Sequence, residues 1–337
     1  MDVKITGKRL KNTLSYDWIK IIAFAVAAIF VWTLAFTTFA TRATDGQQFY
    51  FVVYDDVYFD SEKNADMLSD MKKDGSLSYD VLTSRVNNIT KTGNYDALYM
   101  LNIRLTTKEG DVMIMNSGKL NAEAGPATEG ESGKNSEEKK KTSAERVLEV
   151  GYVADLLPFI SRAANYVKKF TSDGTVEGEI SSSKVETYFF NERLKSARNY
   201  KKTYNTDEKK KEGVKDEIER ISRIQQAYLR VTAALEKAKN QGVDLYRYWD
   251  KPTKYSNNEV IERTKTAYGI DLTVLCSGAT NKKELVKSWW LVDENNNATT
   301  DGLTFCVLNC TEDDKDLQFE ALTALDYVIR NYSNYAD

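Results

Sequence analysis

Histidine is missing altogether from this 337-residue chain, and cysteine and proline occur only three times each. Without histidine there is no Ser-His or Cys-His nucleophile system. Most zinc sites go with it, because Cys276, Cys306 and Cys310 lack the spacing of zinc ligands. No glycine-rich phosphate loop and no nucleophile elbow occurs. A field of one sign is missing too: 47 lysines and arginines stand against 50 aspartates and glutamates. Such a balance does not steer nucleic acid, so no nucleic-acid partner is expected. Neither a cofactor nor a metal is expected. The stretch DENNNATTDG (293–302) offers oxygens at alternate positions, as calcium loops do. Ala298 stands where the sixth position needs glycine, however, and Thr304 where the twelfth needs a bidentate glutamate.

What is present is one long apolar run. From Ile21 to Ala40 no side chain is charged, and twenty residues at about 1.5 Å each span the roughly 30 Å of a bilayer core. Signal-peptide apolar regions are shorter, about 7–15 residues. Buried core helices normally keep a polar stripe. Lys4, Lys8, Arg9, Lys11 and Lys20 precede the run against Asp2 and Asp17, while Arg42 alone follows closely. That asymmetry predicts a cytoplasmic tail (1–18), a transmembrane helix (19–41) held in the lipid bilayer and an extracytoplasmic remainder. The protein would then be a single-pass protein of the cell membrane. Thr38 and Ala40 leave cleavage after Ala40 open, with the same outside location.

About 295 residues follow the run, room for one large domain or two small ones. QQFYFVVYDD (47–56) reads as a strand ending in Asp55 and Asp56. Residues 61–73 read as a helix and 78–86 as a second strand. Residues 94–116 fit helix or strand up to Leu105, with DVMIM a short buried strand under either reading. Residues 117–143 are rich in Gly, Ser, Glu and Lys and read as a disordered loop. A mostly helical region (144–255) follows, interrupted near Pro158. In it Val214, Ile218, Ile221, Ile224, Tyr228, Val231 and Leu235 form an amphipathic stripe expected to pack on its own domain. In the last part, 259–267 reads as helical and 268–275 as extended. Residues 287–310 read as two strands joined by a polar loop, and 316–332 as a closing helix. Segments 45–116 and 256–337 are thus two parts of one α/β domain whose sheet takes strands from both ends of the chain. If 302–310 is a strand, Cys306 and Cys310 lie about 13 Å apart and cannot pair with each other. A bridge from Cys276 to one of them and buried unpaired thiols both stay open.

EGDVMIM (109–115), GYVADLLPFI (151–160) with its Asp155-Leu156-Leu157-Pro158 phrase, and the run from Gly302 to Tyr332 together resemble extracellular solute-binding proteins of ABC importers, carbohydrate type. The resemblance implies an α/β fold like one lobe of a periplasmic-binding-protein-like fold, here with a helical insertion. It implies a non-enzymatic module accessory to an importer, with the permease subunits as partners and a small sugar as ligand. Asp55 and Asp56 close a strand, where α/β sheets set ligand contacts, and Asn116 follows DVMIM with the same argument. Trp289 and Trp290 can stack on a sugar. They point to opposite faces if extended, so one at most serves a site, and Trp290 is the candidate. Tyr248 and Trp249 read as a docking patch or a packed turn. The competing function is a structural or protein-interaction ectodomain of the cell envelope without small-ligand binding. A carboxylate glycosidase needs two carboxyls about 5–9 Å apart, and the sequence singles out no such pair.

Overall fold

A computed structural model describes residues 7–39, 43, 45–54, 57–89, 97–107, 109–117, 143–196, 198–256, 259–309 and 319–336. The expected loop lies outside the described residues except at its two ends, as do Asp55, Asp56 and Cys310. The chain divides into two units, residues 1–42 and 43–337.

The described residues of the first unit form one helix, α1 (Gly7–Phe39). Its stretch Trp18–Phe36, 19 residues of mean hydropathy 2.3, is long and apolar enough to cross a membrane. At about 1.5 Å per residue it covers roughly 28 Å. Phe24 and Trp32 are more than 70 % exposed. Apolar side chains exposed around a whole helix suit lipid, not water.

The second unit carries α2 (Ser61–Lys73), α3 (Ala97–Thr106), α4 (Ser143–Val150), α5 (Leu156–Lys168) and α6 (Ser182–Tyr188). A π-helical turn (Phe189–Arg193) leads into the short α7 (Leu194–Ser196) and α8 (Arg198–Thr203). The long α9 (Asp207–Asn240) comes next, then α10 (Leu272–Leu275), α11 (Gly278–Asn281), α12 (Lys283–Ser288) and α13 (Glu320–Tyr332). The strands are β1 (Gln48–Tyr54), β2 (Tyr58–Phe59), β3 (Thr83–Ile89), β4 (Val112–Asn116), β5 (Tyr246–Ser256), β6 (Glu259–Asp271), β7 (Leu291–Val292) and β8 (Leu303–Val307).

Six strands form one mixed sheet in the order β3-β1-β4-β8-β6-β5, while β2 and β7 pair separately. The trio β3-β1-β4 is parallel, and every pairing from β4 onward is antiparallel. Strands from both ends of the chain therefore share one sheet. Side chains alternate between its faces. Phe49, Phe51, Val53, Val112, Ile114, Leu303 and Phe305 turn to one side and join residues of α2, α5, α9 and α13. Val52, Tyr54, Met113, Met115 and Cys306 turn to the other, against Leu101 of α3 and Val147 and Leu148 of α4. The body is a mixed α/β fold of three layers.

The amphipathic stripe of α9 packs within its own unit, with Ile221, Ile224 and Val231 buried in the larger core. Thr206 caps α9 by accepting from the Lys209 amide at 3.3 Å. Gly213 lets this helix through, since a Cβ there would lie 2.4 Å from the Phe189 ring. The break expected near Pro158 falls at Gly151 instead, with φ +80°. Pro158 sits in the first turn of α5, where no intrahelical partner is lost.

Four readings of local structure are corrected. Residues 259–267 are strand, because Val260, Thr264 and Thr266 are β-branched and pair along β5. The adjoining β5 removes the end of the expected helical region. Residues 78–82 form a turn, so the second strand begins only at Thr83. The extended reading of 268–275 holds to Asp271, which caps α10 by accepting from the Thr273 amide at 2.9 Å.

Candidate functional site

In a parallel sheet, ligands collect beyond the carboxyl ends of the strands, where neighbouring connections leave on opposite faces. The connection from β1 leads to α2 on the larger core, and the chain after β4 re-enters as α4 on the smaller one. The switch point therefore lies beyond the ends of β1 and β4. Asn116, half-buried, closes β4 there opposite Leu303. Ser117 follows, with its amide on the Gly302 carbonyl at 2.9 Å and its hydroxyl bonded to the Thr304 hydroxyl. Tyr268 stands behind the pair, its phenol pushed up to about 12, mostly by burial.

Of the sequence-nominated residues, the structure describes Asn116 and Trp290. Asp55 and Asp56 lie outside the described residues. Trp290 is in the core, 1 % exposed, with its ring edge-on to Phe51 at 5.2 Å. It has no open face for a sugar ring in this arrangement. Its indole Nε1 lacks a hydrogen-bond partner among the described residues. Trp289 is buried as well, against Tyr332 at 4.9 Å, and donates to the Thr299 carbonyl at 2.7 Å. Both tryptophans follow α12, and burying two large rings there outweighs leaving one exposed. Cys276 and Cys306 are buried free thiols, and burial pushes both up well beyond the usual thiol range. Among the described residues no cluster of three or more Cys, Asp or Glu could hold a metal.

Sequence reasoning missed an open cleft of about 480 Å³ between the end of α9 and the start of β5. Leu235, Val243, Tyr246 and Tyr248 supply its apolar wall, with Glu236 and Asp244 among its polar groups. The two tyrosine rings are 6.2 Å apart, and Lys265 Nζ lies 4.3 Å over the Tyr248 ring. The signal was the phrase YRYWDKP, in which Tyr246 and Tyr248 stand two residues apart.

Also unforeseen was a buried ionic network. Arg193 pairs with Asp80 and, at 3.3 Å, with Glu217, and Arg220 with Glu217 at 3.2 Å and Glu320 at 3.0 Å. Burial works to raise the Asp80 carboxyl, but Arg193 and Arg220 hold it below its usual range. These residues lie far apart in sequence, and each alone reads as a surface charge. No family model, curated protein or solved structure matches the chain.

Proposed function

We propose that this chain is a membrane-anchored module of the extracytoplasmic face, with its N-terminus in the cytoplasm. On this reading the α/β body is a single-lobed relative of solute-binding proteins. It works, without catalysis, beside a carbohydrate importer of the ABC type. The observation that carries the reading is the parallel trio β3-β1-β4, whose connections leave to opposite faces beside Asn116. The apolar span Trp18–Phe36 supports the anchor.

The test is a thermal-shift screen of the full chain in detergent against a panel of mono- and disaccharides. A ligand at 100 times its dissociation constant adds about 2.7 kcal/mol and raises the midpoint visibly. Asn116→Ala should remove the shift, and a screen in which no sugar moves the midpoint sinks the ligand.

A protein-interaction ectodomain without small-ligand binding is the second reading, and the burial of Trp290 favours it. It expects stabilisation by co-purified permease subunits and by no sugar.

A further inference from the structure

Five ionisable side chains of the network lie where α9, α13, the π-helical turn and the turn before β3 meet. Asp80, Arg193, Glu217, Arg220 and Glu320 are each at most 4 % exposed. Two guanidiniums thus face three carboxyl groups, and an uncompensated charge is costly at this depth. The carboxyl groups are not equally served. Asp80 accepts from the Ser78 hydroxyl on one oxygen and from Arg193 and the Tyr200 hydroxyl on the other. Glu217 accepts from Arg220 at 3.2 Å on one oxygen, and from the Tyr79 hydroxyl at 2.9 Å on the other. Glu320 takes the Arg220 Nε at 3.0 Å on Oε1, while its Oε2 has no hydrogen-bond partner among the described residues. Asp326, equally buried two turns along α13, is the contrast. It receives Arg230 on both oxygens at 2.7 Å and Arg330 at 3.0 Å.

We propose that Glu320 carries a proton in the folded protein at neutral pH, leaving two guanidiniums against two carboxylates, and that its ionisation loosens α9 from α13 as pH rises. An orphaned neutral oxygen costs far less than an orphaned carboxylate oxygen. Among the described residues, the charged groups that face Glu320 are Arg220 from α9, Arg193 from the π-helical turn and Asp80 from the turn before β3. Tyr166 of α5 shares the other side of Arg220, accepting at 3.0 Å. Burial raises the Glu320 carboxyl, Arg220 opposes that and Asp80 adds to it. A raised group contributes stability that is whole below its unfolded value and is lost as pH climbs through its folded value. Asp80, held low, has the opposite sign: its contribution is whole above the unfolded carboxyl value and fails as pH falls. Together they make a clamp that holds between an acid limit and an alkaline one.

The experiment is carbonyl-stretch infrared spectroscopy on the full chain in detergent, with glutamate carboxyls isotopically labelled, followed from acid to alkaline pH. The expected result is a neutral carboxylic-acid band that persists at neutral pH in the wild type and is absent from Glu320→Gln. Thermal midpoints of the wild type should fall on the alkaline side, and Glu320→Gln should flatten that fall. A wild-type spectrum with no neutral carboxyl at neutral pH overturns the proposal. So do parallel pH slopes of midpoint for the two proteins. Where Glu320→Gln does not accumulate, the wild-type spectrum alone decides.

Discussion

On one face of the six-stranded sheet, α2, α5, α9 and α13 bury Phe51, Ile114, Phe305 and Trp290 together; on the other, α3 and α4 cover Val52, Met113 and Cys306 with a much smaller set of side chains. Outside the smaller core, Tyr99, Met100, Ile103 and Val150 are already at the surface. The ionic network of Asp80, Arg193, Glu217, Arg220 and Glu320 lies among the helices of the deep face. A buried charge must be enclosed on all sides by partners from several elements, and a single helical layer does not supply them. Depth here permits both the tryptophan pair and the Asp80–Glu320 network.

Substitutions can break or sharpen this contrast. The largest effect should come from Glu217→Ala, which leaves Arg193 and Arg220 short of a buried counter-ion and costs about 3–5 kcal/mol in chemical unfolding. Trp290→Ala, which opens a cavity in the deep face, belongs to the same range, about 3–5 kcal/mol. Met113→Ala, on the shallow face, should cost about 2 kcal/mol, because that side has room to collapse. Equal losses for Trp290→Ala and Met113→Ala would dissolve the distinction. Gly269→Ala tests the sheet between the layers. Its Cβ would lie 2.6 Å from the Phe305 carbonyl oxygen, so overpacking of about 1–3 kcal/mol is expected. The smallest effect belongs to Asn116→Ala at the strand end, within about 0.5 kcal/mol in stability. Any sugar-induced shift, by contrast, should vanish in that variant.

Much of the frame was legible because local pattern and packing agree there. The apolar runs of β1, β4 and β8 have no polar face to conceal their burial. The α9 stripe recurs at helical spacing, and α13 reads as helix at any window. Where propensity and pairing compete, the sequence misled. Residues 259–267 contain Glu, Arg and Lys that suit a helix surface, yet ladder bonds to β5 decide. The site was far less legible. Asn116 is nominated by its place at a strand end and Trp290 as a ring that can stack on a sugar, but Trp290 meets Phe51 in the core, a contact between distant segments. The ionic network is hidden for the same reason: a lone Asp80 or Glu320 in the chain gives no sign that an arginine will be folded against it.

The shared sheet also sets a timetable. A ribosome delivers Met113 long before Cys306, its partner across the ladder. At about 5–20 residues per second, β4 waits on the order of ten seconds or more with one edge bare. A naked, apolar, five-residue edge invites pairing with a stranger. Truncations before residue 303, which leave that edge without β8, should therefore aggregate.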